Sequence, residues 1–332
     1  MLKHLLCSLL SLGCHPSAQA VAHPPYTQYQ EVQALIAQSS ESGLYDPQRL
    51  QALFAQAQHL DSVLAAMKHP AESLTWATYG PLFLGDDRVA AGLAFWHAHA
   101  ATLARAQSSY GVPAAVIVAI LGIETRYGQR TGNYRVLDAL STLAFDEPQR
   151  ARYFRQELLH FLQLCQAQHL DPLSVYGSYA GAMGYPQFMP SAWQDSAVDF
   201  DGDGHIDLIH DADDAIGSIA HYFQQHGWQA GPVADRAILT GQDYDAHLDT
   251  SLQTSSTVGA LRQRGLRPQT AVADTTPASV LRLQGAQGME FWLAYENFYV
   301  ITRYNHSPLY AMAVWQLSEK LQAAMDADTA TH

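Results

Sequence analysis

The sequence predicts a mainly α protein, a helical body that carries a small β-containing insertion. Three observations lead there. Up to about residue 230, apolar residues recur at three- and four-residue spacing. Between about 233 and 300 the texture changes to short β-rich runs separated by turn residues. From Pro308, SPLYAMAVWQLSEKLQAAM resumes the helical pattern. The 332 residues suffice for one large or two to three ordinary domains, and 48% apolar with 15% charged residues fits a globular chain.

Taken in order, the chain opens on a targeting segment. MLKHLLCSLLSLGCHPSAQA has a basic start at Lys3, an apolar stretch to Gly13 and a small-residue site, Ala18-Gln19-Ala20, so export with cleavage after Ala20 is expected. The alternative is lipidation of Cys14, which follows Leu12-Gly13. Cys7 and Cys14 both lie in this leader. Cleavage leaves Cys165 alone, with no internal disulfide, and Cys165 reads as a small buried hydrophobe.

Helices are expected over 28–39, 46–57, 60–68, 87–109, 113–126, 147–168 and 212–226. Asp46-Pro47 and Val112-Pro113 put proline in a first turn, and Gly111, Gly128 and Gly227 stand at helix edges. RAILTG, TSLQTSS, SVLRLQG and MEFWLAYENFYVIT read as strands, with a helix near 257–264. The final helix returns to the helical body. No later stretch reaches the roughly 18 apolar residues of a membrane span. The net charge of −13 argues against a nucleic-acid partner.

Four stretches carry chemistry. In ILGIETRYG, Glu124 ends the apolar run from Ala114 to Ile123, with Ile120 and Leu121 one turn before it. A glutamate there ordinarily faces water or pairs with a neighbour such as Arg126. These flanks instead turn it inward. Apolar surroundings raise a carboxyl's affinity for its proton, which suits a general acid. GSYAGAMGYPQFMPSAW, residues 177–193, interleaves small residues with Tyr179, Tyr185, Phe188 and Trp193. It reads as a packed loop or as a surface where backbone approaches a ligand and aromatic faces meet sugar rings, with Ser178 and Gln187 orienting it.

DFDGDGHIDLIHDADD, residues 199–214, places Asp199, Asp201 and Asp203 at positions 1, 3 and 5 of a calcium loop. Gly204 falls at position 6, the carbonyl of His205 at 7 and Asp207 at 9. Position 12 is His210, so Asp213 or Asp214 must supply the closing carboxylate. Finally, Tyr304-Asn305-His306 precedes the last helix, where it either caps and packs or lines a cleft opposite Glu124.

These motifs in this order, with DAIGSIAHYFQQHGW and NFYVITRYNHSPLYAMAVWQL, resemble the membrane-bound lytic transglycosylase B type, murein lytic transglycosylases of glycoside hydrolase family 103. The resemblance spans about residues 27 to 322. It implies a lysozyme-like helical core with a helical N-terminal domain, a small β domain and an EF-hand-like calcium loop. The corresponding division is a signal peptide at 1–20, a helical domain at 21–109, the core at 110–232 and the β domain at 233–300. A C-terminal helix at 306–325 packs back onto the helical body.

The implied activity cleaves the β-1,4 bond between N-acetylmuramic acid and N-acetylglucosamine and leaves a 1,6-anhydromuramoyl end. Carried over residue by residue, Glu124 of ETRYG is the catalytic acid, and Ser178 and Gln187 hold the N-acetyl sugars. Tyr222 of AHYF, Tyr304 and Asn305 of RYNH and Tyr79 of WATYG line the cleft. The metal ligands are Asp199, Asp201, Asp203, the His205 carbonyl and Asp214, with Asp213 as the alternative to Asp214. Gln149-Arg150 departs from the paired arginines often found in the family, so a contact there is expected to be weaker.

The resemblance further implies structural calcium, no organic cofactor, peptidoglycan glycan strands as partner, a monomer, and a periplasmic protein or, through Cys14, an outer-membrane lipoprotein. The competing functions are a hydrolytic muramidase, a non-catalytic peptidoglycan-binding protein and a calcium sensor.

Overall fold

The computed structural model describes residues 23–41, 45–68, 74–240 and 252–330. The leader, with its two cysteines and its cleavage site, lies outside them. A 3-10 turn at Tyr26–Gln28 leads into α1 (Gln30–Glu41), α2 (Pro47–Gln56), α3 (Asp61–Met67) and α4 (Trp76–Tyr79). Next come α5 (Asp86–Ala98), α6 (Ala100–Tyr110) and α7 (Ala114–Thr125). The strand β1 (Tyr134–Arg135) precedes α8 (Val136–Phe145) and α9 (Ala151–Ala167), and β2 (Tyr176–Gly177) pairs back onto β1. Helices α10 (Pro190–Ser196) and α11 (Ala212–Gln225) complete this stretch.

The chain then forms β3 (Ala234–Leu239), β4 (Ser256–Thr257), α12 (Val258–Gln263), β5 (Leu266–Pro268), β6 (Pro277–Gly285) and β7 (Gly288–Ala294). The five strands make one antiparallel sheet in the order β4-β6-β7-β3-β5, with Leu281 opposite Trp292 at the centre of its hairpin. One face carries its own apolar cluster, including Val258, Leu261, Leu266, Val280, Phe291 and Leu293. Two helices close the chain, α13 (Glu296–Tyr304) and α14 (Pro308–Thr329).

All twelve residues of α7 are buried, Glu124 included, so this helix is the axis of the helical body. It is covered by α5, α6, α11 and, most extensively, α14. The end of α7 is abrupt. Arg126, Tyr127 and Gly128 are all left-handed, with φ of 52°, 60° and 84°. Two consecutive non-glycine residues in that region are costly, by about 1 kcal/mol or more each, and tertiary contacts hold them there. The Tyr127 ring turns back under the helix and its hydroxyl donates to the Arg88 carbonyl at 2.8 Å. Gly92 of α5 and Gly122 of α7 make room for it, since a Cβ at Gly122 would stand 2.7 Å from the Tyr127 hydroxyl. Arg88 also donates to the Gly122 carbonyl, one of those left open at the helix end.

Several expected boundaries moved. The expected 87–109 helix is two, because the chain breaks at His99 (φ −119°, ψ 27°); its ring rests on Phe95 and its Nδ1 lies 2.9 Å from Asp213. The second half of MEFWLAYENFYVIT is helix α13 and not strand. Its buried residues include Asn297, Phe298, Ile301, Thr302 and Tyr304, a helical period that packing enforces over the β propensity of its Tyr, Val and Ile. Helix α8 was not anticipated, because its apolar run has neither polar periodicity nor a side-chain cap. In TSLQTSS the only strand among the described residues is the short β4, which begins at Ser256.

Gly122→Ala separates two effects. Helix propensity alone favours alanine by about 1 kcal/mol, whereas overpacking against the Tyr127 ring costs about 1–3 kcal/mol. The variant is expected to melt at a lower temperature than the wild type in scanning calorimetry.

Candidate active site

Glu124 sits in the last turn of α7 and is 6% exposed. Its Oε1 accepts a hydrogen bond from the Tyr310 hydroxyl at 2.5 Å, across 186 residues of sequence. Tyr310 lies on the first turn of α14, which Ser307 caps through the Tyr310 amide. The sequence pattern did not single out Tyr310. Its one available signal is that it is the only polar side chain in the buried run Leu309–Val314.

The other expected cleft tyrosines gather around this pair. Tyr304, at the end of α13, stacks 6.4 Å from Tyr310 and meets Tyr222 of α11 edge-on at 5.1 Å. Phe188 packs on both Tyr222 and Tyr304. Tyr79 is buried on α4 against Phe83. Burial pushes the phenols of Tyr304 and Tyr310 well above the usual tyrosine range, and the Glu124 charge adds to the rise. Tyr222 is raised as well, first by burial. These groups therefore remain protonated donors throughout ordinary pH. Tyr304 donates to the Pro186 carbonyl at 2.5 Å and Tyr222 to the Arg303 carbonyl at 2.7 Å, so both hold the wall together.

The loop after β2 forms the adjoining wall. Ser178 accepts from the amides of Ala180 and Ala182, which leaves its own hydroxyl hydrogen to donate. Gln187 is left-handed (φ 50°), and its amide nitrogen donates to the carbonyls of Thr131 and Gly184, both at 2.9 Å. Those bonds fix the side chain and leave its amide oxygen as the group available to a ligand. The Oδ1 of Asn305 is buried and finds no hydrogen-bond partner among the described residues. An orphan of this kind costs about 1–3 kcal/mol and is the polar atom a bound ligand would relieve.

The acidic loop stands behind this wall. Carboxylate oxygens of Asp199, Asp201 and Asp203 lie within 4.8 Å of one another, close enough to share one ion. Gly202 and Gly204 take φ of 85° and 93°, which wraps the backbone around them. His205 sits in the turn, with its amide bonded to Asp203. An all-oxygen donor set of this kind suits a hard cation. Asp214 is 2% exposed and points into the loop, accepting from the amides of Phe200 and Asp207. Asp213 points away, to His99. The loop is tied to the wall that carries Ser178 and Gln187 through the Tyr185 amide, which donates to the Leu208 carbonyl at 2.8 Å.

Comparison with known proteins gives concordant matches. The family described as Transglycosylase SLT domain matches residues 27–319. The chain is 44% identical over 290 residues to the membrane-bound lytic murein transglycosylase B of Escherichia coli K12, covering 84% of this chain and 79% of that protein. Among solved structures, lytic transglycosylase SltB1 of Pseudomonas aeruginosa superposes with a TM-score of 0.85 at 46% identity, over 90% of this chain and 99% of its own. The Escherichia coli lytic transglycosylase Slt35 in complex with calcium superposes with a TM-score of 0.83 at 43% identity, over 90% and 94%.

Proposed function

The chain belongs to the transglycosylase SLT-domain family and is a murein lytic transglycosylase, an enzyme acting on peptidoglycan; from that premise we propose that Glu124 is its single acid–base group. The observation that carries this reading is the buried bond from Tyr310 to Glu124 Oε1. It fixes the carboxyl group at the end of α7, inside the ring of tyrosines. The charged group acting on the Tyr304 phenol is likewise Glu124. Ordinary glycosidases place two carboxyl groups around the scissile bond. Here the substrate supplies the second function.

The step runs as follows. Protonated Glu124 donates to the glycosidic oxygen between N-acetylmuramic acid and N-acetylglucosamine as the C1–O bond breaks and positive charge develops at C1. The C6 hydroxyl of the same muramic residue attacks C1. Glu124, now a carboxylate, takes the proton that the hydroxyl loses, closing the 1,6-anhydro ring and regenerating the acid. A tethered nucleophile has a large effective concentration, and no activated water is needed. The Ser178 hydroxyl, the Gln187 amide oxygen and Asn305 hold the N-acetyl and hydroxyl groups, while Tyr79, Tyr222 and Tyr304 shape an apolar floor.

The Asp199–Asp214 loop is read as a structural calcium site. Asp199, Asp201, Asp203, the His205 carbonyl and Asp214 would hold the ion, which supplies charge neutralisation and rigidity and takes no part in bond cleavage. The related enzyme solved with calcium supports this reading. Export with cleavage after Ala20 is proposed to deliver the protein to the periplasm, with lipidation at Cys14 as the alternative. Among the described residues no single helix is long and apolar enough to cross a membrane.

Three outcomes are expected. Mass spectrometry of peptidoglycan digests should find 1,6-anhydromuramoyl ends from the wild type and none from a folded Glu124→Gln variant; reducing muramic ends would make the enzyme a hydrolase. Tyr310→Phe removes the hydrogen bond that holds Glu124 in both its acid and carboxylate forms, worth about 1.5–3 kcal/mol in the charged form, so kcat/KM should drop roughly 10- to 100-fold with the fold retained. Added calcium should raise the melting temperature and a chelator should reverse the rise; an unchanged transition would remove the metal from the account.

A further inference from the structure

A second cluster of ligating side chains, sharing no residue with the Glu124 cleft or the aspartate loop, lies where three separate stretches of chain meet. His23 precedes the Tyr26–Gln28 turn, His59 sits between α2 and α3, and Asp146 caps the C-terminal end of α8. His59 Nδ1 stands 2.8 Å from Asp146 Oδ2, and His23 Nε2 stands 3.2 Å from Oδ1. One nitrogen of each imidazole and one oxygen of the carboxylate lie within 4.8 Å of one another. We propose that His23, His59 and Asp146 form a binding site for a late first-row divalent cation, with zinc as its representative, distinct from the aspartate loop.

The donor types argue for that metal class. Two imidazoles and a carboxylate suit zinc and its neighbours, whereas the Asp199 loop offers only oxygen. The electrostatics also call for a cation. Asp146 stands at the negative end of the α8 dipole, with its side chain 11% exposed. The basic side chains paired with it are the two histidines. Tyr26 donates to Oδ2 at 2.6 Å and Tyr29 to Oδ1 at 3.3 Å. Both phenols thus hold and orient the carboxylate.

A further feature is the support behind His59. Its Nε2 lies 3.1 Å from Asp61 Oδ1, so a cation that displaces the proton between Nδ1 and Asp146 would leave Nε2 donating to Asp61. That carboxylate–imidazole–metal order is the usual way a ligating histidine is oriented. The two rings are stacked, with centroids 3.9 Å apart and planes at 13°. A bound ion lies in the plane of each ring, so one ring must swing on binding. His23, in irregular chain outside any helix, is the ring placed to do so. The ion would then clasp the segment entering α1 to the α2–α3 turn and to the end of α8.

The test is titration of the full chain with zinc alone by calorimetry, with calcium saturating so that the aspartate loop is occupied. One zinc per chain is expected to bind and to raise the melting temperature. Binding should weaken by roughly 100-fold or more in His59→Ala, and the thermal shift should vanish. His23→Ala, at the rim of the cluster, serves as the variant least able to disturb folding and should lose the same binding. Cobalt in place of zinc should give the visible absorption of a four-coordinate ion in the wild type only. No zinc binding, or zinc binding unchanged in both histidine variants, overturns the site.

Discussion

The structure depends on burying one carboxylate at the end of an otherwise apolar helix. α7 supplies the helix that carries Glu124, but the hydroxyl that holds Oε1 comes from α14, 186 residues later. The chain must therefore return after the sheet, and α13 and α14 do so, bringing Tyr304 and Tyr310 with them. This is why the sheet can be an insertion. Its five strands lie between two halves of one site, and its second apolar cluster is formed by its own residues. The left-handed run Arg126–Tyr127–Gly128 completes the arrangement by stopping α7 at the turn that carries Glu124 and turning Tyr127 back against Gly92 and Gly122.

The same economy joins the substrate wall to the acidic loop. Gly184 has φ of 70°, and any Cβ there would meet the Leu208 carbonyl; Tyr185, its neighbour, donates its amide to that carbonyl. Arg105 of α6 lies over the Phe200 ring at 4.2 Å and donates to the Phe200 carbonyl at 2.5 Å. Asp214 takes the Phe200 amide from the other side. Ordering the loop thus orders residues one hydrogen bond away from Gln187 and Pro186, and Pro186 in turn accepts from Tyr304. A cation that rigidified Asp199–Asp214 would act on the cleft through this short backbone route and not through its field.

What was legible in the sequence was what is local. ETRYG announces both an inward carboxylate and a helix stop; GSYAGAMGYPQFMP announces close backbone approach; DFDGDG announces a wrapped acidic loop. Each message is carried by residue types within a few positions of one another. Choosing Asp214 over Asp213 was not local, since it turns on His99 drawing Asp213 away. Nor was Tyr310, whose role exists only once α14 lies on α7. The helix α13 was misjudged because Tyr, Val and Ile favour strands wherever packing does not decide, and here packing decides. The His23–His59–Asp146 meeting spans 123 residues and leaves no motif at all.

A site with one acid must keep its other ionisable groups from competing for the proton. The phenols would do this by burial: a tyrosine held well above its ordinary range stays neutral and keeps its own proton. Their hydrogen bonds are correspondingly directional, each hydroxyl donating to a fixed acceptor, Glu124, the Pro186 carbonyl or the Arg303 carbonyl. In a two-carboxylate glycosidase, environment must set the two groups apart so that one is acid and the other is base. In the step proposed for Glu124 the separation would be made in time, the same carboxyl group being acid before the glycosidic bond breaks and base after it. On that reading, the tyrosine wall is what would allow one group to hold both roles.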